Sequence, residues 1–275
     1  GSCPDTNGDG VITTSTGPND VLPFGQDDCV AWYTETQGDI RGMAAQDLVG
    51  IDPEDICSGD DDISIETPNE HYVWAGGLHQ KIYKLDAKTG AILMTIDAPA
   101  PVYGMALAGD GRLWISKGLA FIDTLQCIDE AACEAEPVCT QFCSEFNCPN
   151  TCDNAVKATI SGVDGYGITI DCKDRVWLSN GATTRYNPNG PVDMRLAKGP
   201  HSGSGGIAAD ANGWVWAAYG NTTTRIDAET MDGIEINAPN KGVAIDSDGR
   251  VITVRNEGVH LIEAGPTLND YTLSN

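Results

Sequence analysis

GMALAGDGRLW (Gly104 to Trp114), GITIDCKDRVW (Gly167 to Trp177), GIAADANGWVW (Gly206 to Trp216) and GVAIDSDGRVI (Gly242 to Ile252) align without gaps over eleven positions. Each copy runs from an alternating small or β-branched stretch, through an Asp/Asn/Gly turn, to an apolar pair, which is the chemistry of a tight β-hairpin. Self-similarity at a fixed period outranks any local pattern, because each unit cannot bury its own apolar face and needs the next one. A third strand follows in IYKLDAKTG (Ile82 to Gly90), TTRYNP (Thr183 to Pro188), TTRIDAETMDG (Thr223 to Gly233) and VHLIEA (Val259 to Ala264). The last two spacings between equivalent glycines, 39 residues (167 to 206) and 36 residues (206 to 242), suit a four-stranded propeller blade.

A fifth copy is split: RGMAAQ (Arg41 to Gln46) supplies an inner strand and HYVWAG (His71 to Gly76) the second. The acidic insertion 47–70 sits in the turn between them, where extra chain costs little closure entropy. At the N-terminus, DGVITT (Asp9 to Thr14) resembles DGRVITV (Asp248 to Val254), with VLPF and CVAWYTE after it. This reads as a sixth blade lacking one strand, to be completed by YTLSN (Tyr271 to Asn275), so that paired ends leave no exposed sheet edge. The expected fold is therefore an all-β propeller of six four-stranded blades in one domain, 1–275, closed by its N- and C-terminal strands; five or seven blades satisfy the same pattern. Trp74, Trp114, Trp177 and Trp216 share one repeat position and are expected to pack blade against blade rather than to bind a cofactor.

These segments resemble the streptogramin (virginiamycin B) lyase-like and NHL-like six-bladed propellers, whose blades carry G-h-x-h-D-x-D-G-x-h-W. The resemblance covers residues 41–46 and most of 71–275. It implies, for the lyases, a magnesium-dependent site built partly from histidines placed just before the blade glycines. Here those places hold Arg41, Tyr103, Tyr166, Gly205 and Lys241.

Forty acidic residues against sixteen basic ones give a net charge of −24, which opposes nucleic acid and anionic membrane surfaces. No apolar run approaches the roughly 18 residues that span a bilayer. Ten cysteines point to an oxidising compartment, so the chain is read as secreted, periplasmic or cell-surface. Cys127, Cys133, Cys139, Cys143, Cys148 and Cys152 crowd an acidic insertion, 127–155, between the third and fourth strands of one blade. They are expected to form three disulfides, since so short an acidic loop builds no core and lacks the C-x2-C and histidine pattern of a zinc site. Cys3, Cys29, Cys57 and Cys172 would make two more, with pairing undetermined. A lipid anchor on Cys3 is the alternative fate of that thiol.

Propeller topology places the connections into the inner strands, and those between second and third strands, on one face. Arg41, Tyr103, Tyr166 and Lys241 then ring the axis, with Tyr219, Arg255, Lys117, Asn180 and His79 farther out. Guanidinium and ammonium groups pair with anions, and tyrosines stack and hydrogen-bond. The expected function is a secreted, monomeric binding module that takes a small anionic or polyhydroxylated ligand on the axial face, its partner being a small molecule or an extracellular partner. A metal-dependent lyase or hydrolase is the alternative, drawing on Asp39, Asp164 and His201 as general base. A structural or cell-surface interaction role through the acidic face is the third. Asp5, Asn7 and Asp9 open a loop with the spacing of an EF-hand, which would hold structural calcium; the twelfth position is Thr16 in place of the bidentate glutamate, so a plain inter-strand turn is the preferred reading. Magnesium enters only with the lyase alternative.

Overall fold

The computed structural model describes residues 3–5, 8–17, 19–23, 25–47, 71–109, 111–123, 157–160, 162–203, 205–255 and 258–274. Among these residues five antiparallel sheets follow one another along the chain. Sheet I holds β1 (Gly42–Asp47), β2 (His71–Gly76), β3 (Lys81–Asp86) and β4 (Ile92–Asp97). Sheet II holds β5 (Met105–Leu107), β6 (Arg112–Ile115), β7 (Ala120–Asp123) and β8 (Lys157–Thr159). Sheet III holds β9 (Gly167–Ile170), β10 (Val176–Tyr186) and β11 (Leu196–Gly203); the first half of β10 pairs with β9 and the second with β11. Sheet IV holds β12 (Ile207–Ala209), β13 (Trp214–Tyr219), β14 (Thr222–Asp227) and β15 (Gly233–Ile236). Sheet V holds β16 (Gly242–Ile245), β17 (Val251–Arg255), β18 (Gly258–Ala264) and β19 (Tyr271–Ser274). No helix among the described residues is long and apolar enough to cross a membrane.

The registers reproduce the repeat residue by residue. Trp74 faces Ala44 across the ladder, Trp114 faces Ala106, Trp177 faces Thr169, Trp216 faces Ala208 and Ile252 faces Ala244. All four tryptophans are at most 2% exposed and pack between neighbouring sheets, each burial being worth about 4 kcal/mol as an upper figure. The repeated aspartate explains the turn. One oxygen of Asp171 accepts the Lys173 and Arg175 amides while the other accepts Trp177 Nε1 at 2.7 Å. Asp210 does the same for Asn212, Trp214 and Trp216 Nε1. Sheet II carries Ala108 at that position, and Trp114 Nε1 is buried with no acceptor among the described residues.

The axial glycines exist because the inner strands converge. A Cβ on Gly42 would lie 2.7 Å from Met105, one on Gly167 would lie 2.6 Å from the Gly205 carbonyl, and one on Gly206 would lie 3.0 Å from the Val243 amide. Small hydroxyls stitch the same junctions. Ser116 Oγ accepts from the Gly104 amide and donates to the Tyr166 carbonyl, and Ser179 Oγ accepts from Gly167 and donates to Gly205. Inner strands touch in the order β1, β5, β9, β12, β16.

The two chain ends depart from expectation. Tyr271–Ser274 is the outer strand of sheet V, pairing with β18, rather than a partner for the N-terminus. A local hairpin over residues 265–270 closes at far lower entropic cost than a strand pairing across the ring. Residues 8–41 contain no strand among those described. Their amides are taken by nearby carboxylates instead: Thr13 N donates to Asp28, Ser15 N to Asp27 and Gly8 N to Asp5. Such side-chain acceptors compete with a ladder, and Pro23 interrupts the run further. Residues 32–40 lie on the face of sheet I turned away from sheet II, where Trp32 and Ile40 pack on Ala75, Tyr83 and Leu85. Among the described residues, five sheets follow in series and no strand over residues 8–41 fills the place between sheets V and I, where the sixth blade is expected; the N-terminal segment lies beside that gap.

Candidate functional site: the axial mouth

All five blade glycines, Gly42, Gly104, Gly167, Gly206 and Gly242, line one cavity of about 440 Å³. Its size falls within the range of small-molecule sites. Met43, Met105, Ile168, Ile207 and Val243, each the residue after a blade glycine, form its apolar wall, while Arg41, Tyr103 and Tyr166 reach its mouth. The apolar wall is legible in the repeat, where that position is hydrophobic in every copy; reading it that way would have found the floor of the site.

At the mouth, the rings of Tyr103 and Tyr166 stack at 4.6 Å between centroids, tilted by 44°. The Lys241 ammonium stands 4.4 Å from the Tyr166 ring centre, and the Arg41 guanidinium and Lys117 ammonium each stand 5.8 Å from that of Tyr103. Three cations therefore frame one tyrosine pair, which satisfies them through ring quadrupoles. A hydrogen bond with Tyr103, followed by burial, holds the Tyr166 phenol above its ordinary range. Arg41 also pairs with Asp39 at 2.8 Å, which raises its own pKa, but both side chains are substantially exposed and the pair is worth little by itself. Asp164 accepts from the Gly118 amide and from Asn180, fixing the loop that carries Lys117.

Arg41, Tyr103, Tyr166 and Lys241 are thus brought together as the repeat implies. Tyr219 and Arg255 lie farther out, at the turns from second to third strand: Tyr219 ends β13, and Arg255, which ends β17, donates to the Gly220 carbonyl at 2.6 Å and to Asn221 at 2.7 Å, tying sheet V to the β13–β14 turn. His201 belongs to β11, the outermost strand of sheet III, which precedes the inner strand β12 in the chain. Asp5 and Asp9 lie in a self-closed turn: Asp5 accepts the Gly8 and Gly10 amides and Asp9 the Val11 amide. Asn7 is outside the described residues. Among the described residues no three His, Cys, Asp or Glu side chains converge as metal ligands.

Cys3 and Cys29 form a disulfide across the N-terminal segment. Cys172 is also disulfide-bonded, to a partner outside the described residues. The expected bridges of Cys57, Cys127, Cys133, Cys139, Cys143, Cys148 and Cys152 fall outside those residues too; the insertion that holds the last six leaves after β7 and returns at β8, as the repeat requires.

No family model matches the chain, and no curated protein matches it. Solved structures do. The extracellular domain of a putative one-component system from B. thetaiotaomicron superposes with a TM-score of 0.52 at 16% identity, over 74% of this chain and 26% of that one. RRP9 WD40 repeats give 0.51 at 11% identity, over 85% and 62%, and U3-55K gives 0.50 at 12%, over 83% and 62%. The chain has a β-propeller-type fold. At these identities the likeness concerns the fold, and this chain spans about a quarter of the first neighbour and 62% of the other two.

Proposed function

We propose that this protein is an extracellular binding module that takes a small organic anion into its axial cavity. The observation that carries the reading is the meeting of Arg41, Lys117 and Lys241 around the Tyr103–Tyr166 pair, above an apolar wall, in a chain of net charge −24. In so acidic a molecule, a mouth framed by three cations is a local inversion of sign, and low-dielectric walls focus its field. The ligand presents a carboxylate or similar charge to Arg41 and Lys241 and places its carbon skeleton against Met43, Met105 and Ile168. Tyrosine hydroxyls recognise its polar groups.

Two disulfide-bonded positions, Cys3–Cys29 and Cys172, support an oxidising compartment, as does the likeness to an extracellular domain. Binding without turnover fits a site whose groups are cationic and phenolic rather than paired for proton transfer. The test is calorimetric titration of the oxidised chain with glucuronate, benzoate and inorganic phosphate, beside an Arg41→Gln/Lys241→Gln double variant. At least one of the organic anions binds the native chain, more weakly at high salt, and the double variant loses about tenfold or more in affinity. Equal affinity in both proteins, or no binding of any anion, overturns the proposal.

A further inference from the structure

Among the described residues, one face of sheet V is uncovered. Val251 and Ile262 pack against Trp214 and Trp216 of sheet IV. The opposite face, turned into the gap, carries Ile252 beside Ala244 and Leu261, and Val254 beside Val259. Val254 is 47% exposed and Val259 57%, and Ile252 holds the place that the other sheets give to a buried tryptophan. The glycine tells the same story. A Cβ on Gly42, Gly104, Gly167 or Gly206 would meet a neighbour at 2.7, 3.1, 2.6 or 3.0 Å, whereas one on Gly242 meets nothing within 4 Å among the described residues. The residue that convergence demands elsewhere is present here with none of the described residues converging on it.

We propose that this face is the dock for the chain's own N-terminal segment, residues 8–31, which seats on it and closes the ring. Three observations favour that occupant. Residues 32–40 already line the face of sheet I that borders the same gap, anchored by the Trp32 indole donating to the Ala87 carbonyl at 2.8 Å. The segment they deliver exposes Val11 (62%), Ile12 (50%) and Val21 (72%), and its DGVITT repeats the DGRVITV of sheet V. Such a set of outward apolar side chains matches the apolar face across the gap. The Cys3–Cys29 bridge and the Thr13–Asp28 bonds hold it as a compact unit, lowering the ordering cost of docking. A second copy of the chain is disfavoured by its charge of −24, while a tethered segment acts at an effective concentration in the millimolar range. The inference is independent of the ligand in the axial cavity.

Hydrogen–deuterium exchange on the full oxidised chain tests it, with Val259→Asp and Ile12→Asp made separately. Both sites are solvent-facing in the undocked arrangement, so each variant keeps its five sheets, checked by near-ultraviolet circular dichroism. Docking predicts reciprocity: Val259→Asp speeds exchange in residues 9–14 about tenfold, and Ile12→Asp speeds it in residues 251–261 by a similar factor. Changes confined to each variant's own segment overturn the proposal. So does a native dimer that Val259→Asp dissolves, which would make a second copy the occupant.

Discussion

Arg225 is the side chain whose loss should be felt most. It is fully buried, lies 4.0 Å from the Trp214 ring centre and 5.3 Å from that of Trp216, and bridges two sheets. Its Nη1 donates to the carbonyls of Thr267, Leu268 and Asp270 at 2.6, 3.2 and 2.8 Å, and its Nη2 to that of Gly265 at 2.6 Å. The loop joining β18 to β19 is thus wrapped around a guanidinium from sheet IV. Bonds from a charged donor are worth about 1.5–3 kcal/mol each, but these share two nitrogens and do not add fully. Arg225→Met keeps the apolar stem against Trp214, strands four carbonyls, and should cost about 4 kcal/mol. With an unfolding entropy of roughly 2.1 cal/mol/K per residue over 275 residues, Tm falls by about 7 °C. Thermal melts followed by circular dichroism measure the shift, and hydrogen exchange should show β19 losing protection before any other strand. Arg225→Lys should recover only part, since an ammonium offers three donors from a point rather than a planar fork. A drop below about 2 °C, with β19 protection unchanged, would refute the reasoning.

Ala108→Asp should raise stability by about 1–2 kcal/mol, because it supplies the acceptor that Asp171 and Asp210 give to their tryptophans and that Trp114 Nε1 lacks among the described residues; a chemical denaturation midpoint no higher than native argues against this. Gly167→Ala should destabilise by about 2–3 kcal/mol, since its Cβ meets backbone at 2.6 Å and backbone moves less readily than a side-chain tip; the same assay reads it. Acid should loosen the N-terminal segment: the Ser15 hydroxyl and amide hold Asp27 at about 2 instead of 3.8. A depressed folded pKa stabilises above the unfolded value and stops doing so as pH falls through the folded one, so Ser15 amide protection should decline between pH 4 and 2. Asp27→Asn should flatten that decline.

The repeat was readable because its physics is local. Alternation, an aspartate whose oxygens close a turn, and a glycine every blade are each written within eleven residues, so the strands of sheets I to V and the buried tryptophans follow from sequence. The mouth was readable too, because Arg41, Tyr103, Tyr166 and Lys241 occupy one repeat position, and a common position becomes a common place once the glycines share an axis. What lay outside local pattern was decided by competition between distant segments. DGVITT carries a strand pattern like that of sheet V, yet Asp27 and Asp28 accept its amides, and only the folded chain shows which partner wins. Arg255 and Lys241 read alike as cations on one face; carbonyl and amide oxygens at Gly220 and Asn221 claim the first, while a tyrosine ring holds the second at the cavity. Composition and period determine how the sheets are built, whereas the ownership of each polar side chain depends on which acceptors the tertiary fold brings within about 3 Å.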